Sequence, residues 1–373
     1  MLRAEAAIDL DAIRGNVALL RTAAPSAELM AVVKADGYGH GLVPSARAAL
    51  EAGAGWLGVC TLEEALDLRA AGISAPILAW LTAPGEALHE AVSADVDLSV
   101  AATWSLEETI GAARRAGRTA RVHLKVDTGL SRGGATGADW PDLVTAAAKA
   151  EVSGEISVGG VWSHFAYADN PGHPTIGRQQ AMFGEAVTVA ERAGLRPRWR
   201  HLANSAATLT LPSTHLDLVR PGIAVYGLSP VPQVSTYGLR PAMTLRARVA
   251  LAKDVPAGSG VSYGHRYTTA GPTRLALVPV GYADGVPRSA SNTAEVWLAG
   301  RRRTISGTVC MDQFVVDVGA DPVSAGDEVV LFGPGTDGAP TAYDWADALG
   351  TISYEIVTRI GARVPRTYAG AGR

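Results

Sequence analysis

A chain of 373 residues, 47% hydrophobic and 18% charged, reads as a soluble globular protein with room for one large domain or two. Its formal net charge of -3, with no block of like charge, excludes nucleic acid and an anionic membrane surface as expected partners. The 2 cysteines, Cys60 and Cys310, each sit in an apolar run, no Cys and His spacing suits a metal, and neither a signal peptide nor a membrane-length apolar run is visible, so a cytoplasmic enzyme with reduced thiols is expected.

The first element is a helix predicted over residues 8–23, with Leu10, Ile13, Val17 and Leu20 on one face and an acidic start at Asp9 and Asp11. A short apolar run over 29–33 then reads as a buried strand that ends on Lys34. Gly37, Gly39 and Gly41 follow, and a helical pattern starts near Pro44. Residues 56–60 read as the next strand, and Thr61-Leu-Glu-Glu64 has the form of a capping box opening a helix. Further strands are predicted at 77–81, 97–100, 120–126, 158–163, 199–202 and 216–219, with helical patterns between them. About eight strand–helix units imply a parallel sheet closed as a (β/α)8 barrel, the count favouring closure over an open doubly wound sheet.

Past Tyr237 the pattern changes to short alternating runs at 242–255, 275–280, 294–298, 304–318 and 328–332, closely punctuated by Gly and Pro. Only residues 343–349 look helical there, and Arg301-Arg302-Arg303 reads as a solvated hairpin turn. Pro230-Val-Pro-Gln-Val-Ser235 has the composition of a linker. The expected organisation is therefore a barrel over residues 1–234 and a β-rich domain over 235–373.

Chemistry on a barrel collects where the strands end. A lysine closing a buried strand before a glycine-rich loop loses hydration, and a neutral amine there is a nucleophile able to form a Schiff base. Taken alone, Lys34 reads equally well as a lysine reaching out to solvent. Other polar residues closing predicted strands are Lys125, Asp127 and Arg132, then Ser163-His164, Asn204-Ser205, and Arg220-Pro221-Gly222-Ile223. Each has a structural explanation by itself: His164 as a satisfied core histidine, Asn204 and Ser205 as a helix cap. Converging on one mouth, they form a site for a phosphate and a ring, with Asn204, Ser205 and the amides of Gly222 and Ile223 offering hydrogen bonds to the phosphate.

The stretch Ala31-Val-Val-Lys-Ala-Asp-Gly-Tyr-Gly-His-Gly41 resembles the pyridoxal-phosphate attachment site of alanine racemases. The likeness continues through His123-Leu-Lys-Val-Asp-Thr-Gly129, Ser163-His-Phe-Ala-Tyr-Ala-Asp169, His201-Leu-Ala-Asn-Ser-Ala206 and Val219-Arg-Pro-Gly-Ile-Ala-Val-Tyr-Gly227. It extends to Val261-Ser-Tyr-Gly264, Gly281-Tyr-Ala-Asp-Gly285, Val309-Cys-Met-Asp-Gln313 and Ser353-Tyr-Glu-Ile356, so it covers nearly the whole chain. The resemblance implies a fold-type III enzyme: an N-terminal barrel, a C-terminal β domain and a head-to-tail homodimer with shared active sites. It implies interconversion of L- and D-alanine, with D-alanine supply for peptidoglycan. Carried over by position, Lys34 attaches the cofactor, and Tyr38, Ser205, Gly222, Ile223 and Tyr354 bind its phosphate. His164 lies against its ring, Arg220 bonds its ring nitrogen with His201 behind, and Arg132 serves both its phenolic oxygen and the substrate carboxylate. Lys125, often carbamylated in this family, orients Arg132. Tyr263, Met311 and Asp312 approach from the partner subunit, and Tyr282 lines the path to the site.

Racemisation needs one base on each face of the planar carbon, and the resemblance assigns these to Lys34 and Tyr263. An arginine facing the ring nitrogen, with a pKa above about 12, does not hand over its proton, which disfavours transamination. Two positions depart from the family pattern: Thr308 stands where an arginine is common in the outer substrate corridor, and Leu130-Ser-Arg-Gly-Gly134 replaces a glycine-arginine-leucine-glycine run. Other readings of the same residues are a racemase for serine or several small amino acids, a decarboxylase of the same fold, and a non-catalytic pyridoxal-phosphate-binding protein. The last lacks a β domain, and the decarboxylase is expected to carry a carboxylate where Arg220 stands.

Overall fold

The computed structural model describes residues 2–370. They fall into two compact units that interleave along the chain. One comprises Ile13–Gly37 and Leu42–Leu239; the other takes the residues up to Ala12, Tyr38–Gly41 and everything described from Arg240 onward. This differs from a single cut near residue 234: the N-terminal strand is shared out to the β unit, and the proline-rich segment 230–235 belongs to the barrel unit, anchored by fully buried Val231 with residues 232–235 exposed.

The strands in chain order are β1 (Ala4–Asp9), β2 (Glu28–Val32), β3 (Trp56–Val59), β4 (Ile77–Ala79), β5 (Asp97–Val100), β6 (Ala120–Lys125), β7 (Ile156–Trp162), β8 (Trp199–His201) and β9 (Leu218–Val219). Strands β2 to β9 form an eight-stranded sheet in the order β8-β7-β6-β5-β4-β3-β2-β9, every pair parallel. The two ends of the order approach one another through the Arg220 amide, which donates to the Ala203 carbonyl at 2.9 Å, so the barrel is nearly closed. Helices Leu42–Glu51, Leu62–Ala70, Leu88–Ser93, Thr103–Ala116, Trp140–Val152 and Pro174–Arg192 alternate with these strands. Strands β3, β4 and β5 are buried throughout, and β2 is buried from Leu29 to Val32, as expected where both faces of a parallel sheet are covered. The predicted capping box is present: Thr61 and Glu64 satisfy each other's end of Leu62–Ala70.

The β unit continues with β10 (Met243–Arg248), β11 (Leu251–Val255), β12 (Gly260–Val261), β13 (Tyr267–Thr268), β14 (Thr273–Val278), β15 (Glu295–Leu298), β16 (Arg301–Thr304), β17 (Phe314–Gly319), β18 (Glu328–Phe332) and β19 (Arg366–Ala369). Its main sheet has the order β16-β15-β18-β10-β1-β19, with a second, three-stranded sheet β11-β14-β17. Three expectations are corrected here. Residues 4–9 form a strand, and the helix begins only at Leu10: Ala4, Ala6 and Ile8 alternate inward, and the Asp9 carboxylate then accepts the Ala12 amide at 2.9 Å. The three arginines belong to β16, paired antiparallel with β15, and buried Arg303 is ion-paired to Asp321. A second helix, Ser353–Thr358, joins Ala342–Leu349.

Candidate functional site

In the barrel unit, Lys34 and Arg220 leave the carboxyl ends of neighbouring parallel strands, β2 and β9, which pair through Leu29 and Val219. The Val32 amide donates to the Pro221 carbonyl at 3.0 Å and the Tyr226 hydroxyl to the Val32 carbonyl at 3.1 Å, so both exits are fixed to one frame. After Lys34 the chain takes a left-handed turn, with φ of 54° at Ala35, 53° at Asp36 and 61° at Gly37. Non-glycine residues pay about 1–2 kcal/mol each for that conformation. The turn is held by Glu64, which accepts the Ala35 amide at 2.6 Å, and by Asp36, which accepts the Leu42 amide at 2.8 Å. A Cβ at Gly37 would lie 2.8 Å from the Ser45 hydroxyl oxygen. The capping-box glutamate thus also shapes the lysine turn, a role its local motif does not signal.

Three further barrel-unit candidates, Lys125, His201 and Arg220, gather around Trp162, the last residue of β7. Its indole stacks on His201 with ring centroids 5.6 Å apart and planes 2° from parallel. Lys125 Nζ lies 4.4 Å from the indole centroid and the Arg220 guanidinium carbon 4.8 Å from it. These distances suit cation–π attraction, which keeps two like charges near one ring. Arg220, 4% exposed, donates to His201 Nδ1 at 3.0 Å and to the Ser163 carbonyl at 2.8 Å. Burial lowers its pKa to about 9, so it remains cationic at neutral pH. Lys125 is lowered to about 8 by burial, then by Arg220 and Arg132. His164 is lowered to about 3 by burial and by Arg220, Arg132, Lys125 and Lys34, and is therefore a neutral ring. That all four cations act on one histidine places Lys34, Lys125, Arg132 and Arg220 in one field.

Arg132 is exposed, at the end of a loop organised by Asp127, whose carboxylate accepts the amides of Gly129, Leu130 and Ser131 at 2.8, 3.0 and 3.1 Å. Asn204 caps the helix Ser205–Thr210 by accepting the Ala207 amide at 3.1 Å. The Ser205 hydroxyl accepts the amides of Gly222 at 2.8 Å and Ala224 at 3.4 Å, which places Ser205, Gly222 and Ile223 in one patch.

The other candidates belong to the β unit. The rings of Tyr38 and Tyr354 are 6.3 Å apart at 49°. Tyr263 is 75% exposed, and Tyr282 and Met311 are also exposed. One loop braces these: Thr308 donates its hydroxyl to the Tyr263 carbonyl at 2.8 Å, and the Cys310 and Met311 carbonyls accept the amides of Tyr282 and Ala283, both at 3.0 Å. Gly281 permits that approach, since a Cβ there would run into the Cys310 and Met311 carbonyls. Asp312 is ion-paired to Arg363 at 2.7 Å. Among the described residues no cluster of metal-ligating side chains is present and no helix is long and apolar enough to cross a membrane.

The sequence assigns no site role to Trp162, Asp97 or His123, and to Glu64 only that of a helix cap. His123 stands two residues before Lys125 on β6, so strand alternation puts both on one side, and Asp97 is an acidic residue inside a buried strand; both were readable signals.

The N-terminal domain of alanine racemase matches residues 8–230, and the C-terminal domain of alanine racemase matches residues 242–368. The alanine racemase of Salinispora arenicola is 67% identical over 371 residues, covering 99% of this chain and 99% of that protein. That of Thermobifida fusca is 62% identical over 370 residues, with the same coverage of 99% on each side. Among solved structures, alanine racemase from D-cycloserine producing Streptomyces lavendulae superposes with a TM-score of 0.98 at 58% identity, covering 100% of this chain and 98% of that one. Alanine racemase from Bacillus anthracis with bound L-Ala-P gives a TM-score of 0.93 at 37% identity, covering 100% of this chain and 96% of that one.

Proposed function

The chain belongs to the alanine racemase family of isomerases, and from that premise we propose that it interconverts L- and D-alanine with pyridoxal 5'-phosphate, using Lys34 and Tyr263 as bases on opposite faces of the substrate carbon. The observation that carries the reading is the exit of Lys34 and Arg220 from adjacent strands β2 and β9. It sets an amine and a permanent hydrogen-bond donor at one end of one sheet.

The residues fit that cofactor. Lys34, Lys125, Arg132 and Arg220 gather around neutral His164, and this surplus of positive charge suits an anionic, phosphate-bearing ring compound. In this reading Lys34 holds the cofactor covalently. Ser205, Gly222, Ile223 and Asn204, with Tyr38 and Tyr354, hold its phosphate. His164 lies against its ring, Arg220 bonds its ring nitrogen and Arg132 its phenolic oxygen. When bound, pyridoxal phosphate supplies the electron sink that makes the α-hydrogen of an amino acid removable.

Everything else falls to the chain. Lys34 Nζ takes or returns the proton on one face and the Tyr263 hydroxyl on the other, because a single base would return the proton to the side it came from. Arg220 bonds without giving up its proton, even with its pKa lowered to about 9, so the ring nitrogen stays unprotonated and transamination is disfavoured. Arg132 orients the substrate carboxylate, with Lys125 setting Arg132. Exposed Tyr263, Tyr282 and Met311 on one braced surface support a homodimer in which each β unit completes the partner's site. Conversion of L- to D-alanine, measured beside serine and other small amino acids, tests the reading: no D-alanine from enzyme carrying its cofactor would overturn it.

A further inference from the structure

We propose that Asp97 and His123 are positioning residues at the far end of a one-way hydrogen-bond relay through the barrel, which fixes the acceptor nitrogen that His201 presents to Arg220. Every member lies inside the barrel unit. His123 Nδ1 is 2.8 Å from His201 Nε2, and His201 Nδ1 is 3.0 Å from Arg220 Nη1. His123 Nε2 has no hydrogen-bond partner within normal reach, but it lies 3.5 Å from Asp97 Oδ2. Asp97, His123, His201 and Arg220 are all at most 4% exposed, so no bulk water can substitute for a missing partner.

The donor inventory dictates the direction. A guanidinium has only donors, so His201 Nδ1 must accept, and the hydrogen of neutral His201 sits on Nε2. That Nε2–H points to His123 Nδ1, which must accept in turn, so the hydrogen of His123 sits on its own Nε2. There it faces the Asp97 carboxylate, an obligate acceptor. Burial, Arg220 and His123 all oppose a charge on His201, consistent with a neutral His201 ring. The sequence builds this path at some cost in side-chain freedom. Gly160 leaves room for His123, since a Cβ there would lie 2.5 Å from His123 Nδ1. Trp56 packs edge-on against the His123 ring at 5.5 Å. Asp97 is anchored as a carboxylate by Arg121, whose Nε donates to Oδ1 at 2.7 Å. Arg121 lines a cleft of about 500 Å³ at the amino ends of the strands, so the relay runs from the barrel floor to its mouth.

Reversing the far end would reverse the whole chain. In Asp97→Asn, Arg121 holds the amide oxygen and the new NH2 group faces His123 Nε2, which must then accept. The hydrogens of both rings move to Nδ1, and His201 presents N–H to the N–H of Arg220. His123→Gln, by contrast, retains polarity, its carbonyl accepting from His201 and its amide facing Asp97.

That Arg220 serves the reaction rests on the reading proposed above; the relay polarity does not. The test is therefore nitrogen NMR of the full-length enzyme with 15N-labelled histidine, alongside alanine turnover. Wild type should show His123 and His201 neutral with hydrogen on Nε2 at pH 7. Asp97→Asn should shift the His201 nitrogens and lower kcat about tenfold or more in both directions, with KM moving less than about twofold, the scale of losses at supporting residues behind a ligand. His123→Gln should leave the His201 signals and kcat within about twofold of wild type. A packing role predicts the opposite order, the isosteric Asn harmless and the Gln damaging. Either ring charged or protonated at Nδ1 in wild type overturns the relay, as does an unshifted His201 in Asp97→Asn. Should that variant not fold, loss of the His201 tautomer in His123→Gln overturns it equally. A wild-type spectrum as expected from protein without turnover would leave the relay standing and sink the catalytic reading alone.

Discussion

Thr308, 2% exposed, donates its hydroxyl to the backbone carbonyl of Tyr263, 75% exposed, at 2.8 Å. The residue expected to line a corridor is thus an interior brace for the tyrosine's own turn. Thr308→Val keeps the shape and removes the bond, and should cost about 1 kcal/mol of stability and several-fold in kcat. Thr308→Arg buries a guanidinium and should cost about 3 kcal/mol or more. Urea unfolding with kcat measurements decides. A Thr308→Arg protein of wild-type stability, altered only in the salt dependence of KM, would show that the side chain reaches solvent after all.

Lys34→Ala should abolish both turnover and borohydride-fixable cofactor. If reduction still couples cofactor to the chain, another lysine is the anchor, and Lys125, lowered to about 8 and so partly neutral at pH 7, is the first to test.

Arg220→Glu sets a carboxylate against His201 Nδ1 and the Ser163 carbonyl, both acceptors in the native arrangement. Racemisation should fall on the order of a hundredfold, as when one aimed charge is lost, and a new long-wavelength absorbance should accompany it. Unchanged rate and spectrum would remove the account of why an arginine stands there.

Acid should weaken the fold through His164. Its folded pKa of about 3 lies below the ordinary 6.5, so between those values the unfolded chain binds more protons. Its contribution to stability is full above about pH 6.5 and is lost on acidification, by about 1.4 kcal/mol per pH unit. His164→Asn should flatten the slope of unfolding free energy between pH 6.5 and 5. An unchanged slope would mean that His164 already charges in the native protein.

The barrel was legible because its strands are short apolar runs separated by amphipathic helices, and Lys34 stood out as a candidate because a charge closes one of them. Strand β1 was not. Its alternation rests on small Ala4 and Ala6, and its partners, Met243–Arg248 and Arg366–Ala369, are distant in sequence. Only long-range pairing distinguishes it from the start of a helix. The left-handed turn at Ala35 and Asp36 was equally hidden, since Ala35 announces no positive φ and the stabilising Glu64 belongs to another element. Arg301 to Arg303 looked solvated because nothing local reveals Asp321 as the partner of Arg301 and Arg303, or Glu295 and Asp344 as those of Arg302.

The shared site makes the most exacting prediction. If Lys34 of one subunit works with the Tyr263 of its partner, Lys34→Ala and Tyr263→Phe proteins are each inactive, yet they can rescue each other. After dissociation and random reassembly of equal amounts, half the dimers are mixed. Each mixed dimer carries one site with both native bases and one with neither, so activity should return to about a quarter of wild type, the value for a two-fold dimer with two shared sites. Bases supplied within one chain predict no recovery at all, because every chain is defective in one of them. Subunit exchange is verified by the mass of the mixed dimer. Confirmed exchange without activity places Lys34 and Tyr263 in the same chain's site and overturns the shared arrangement.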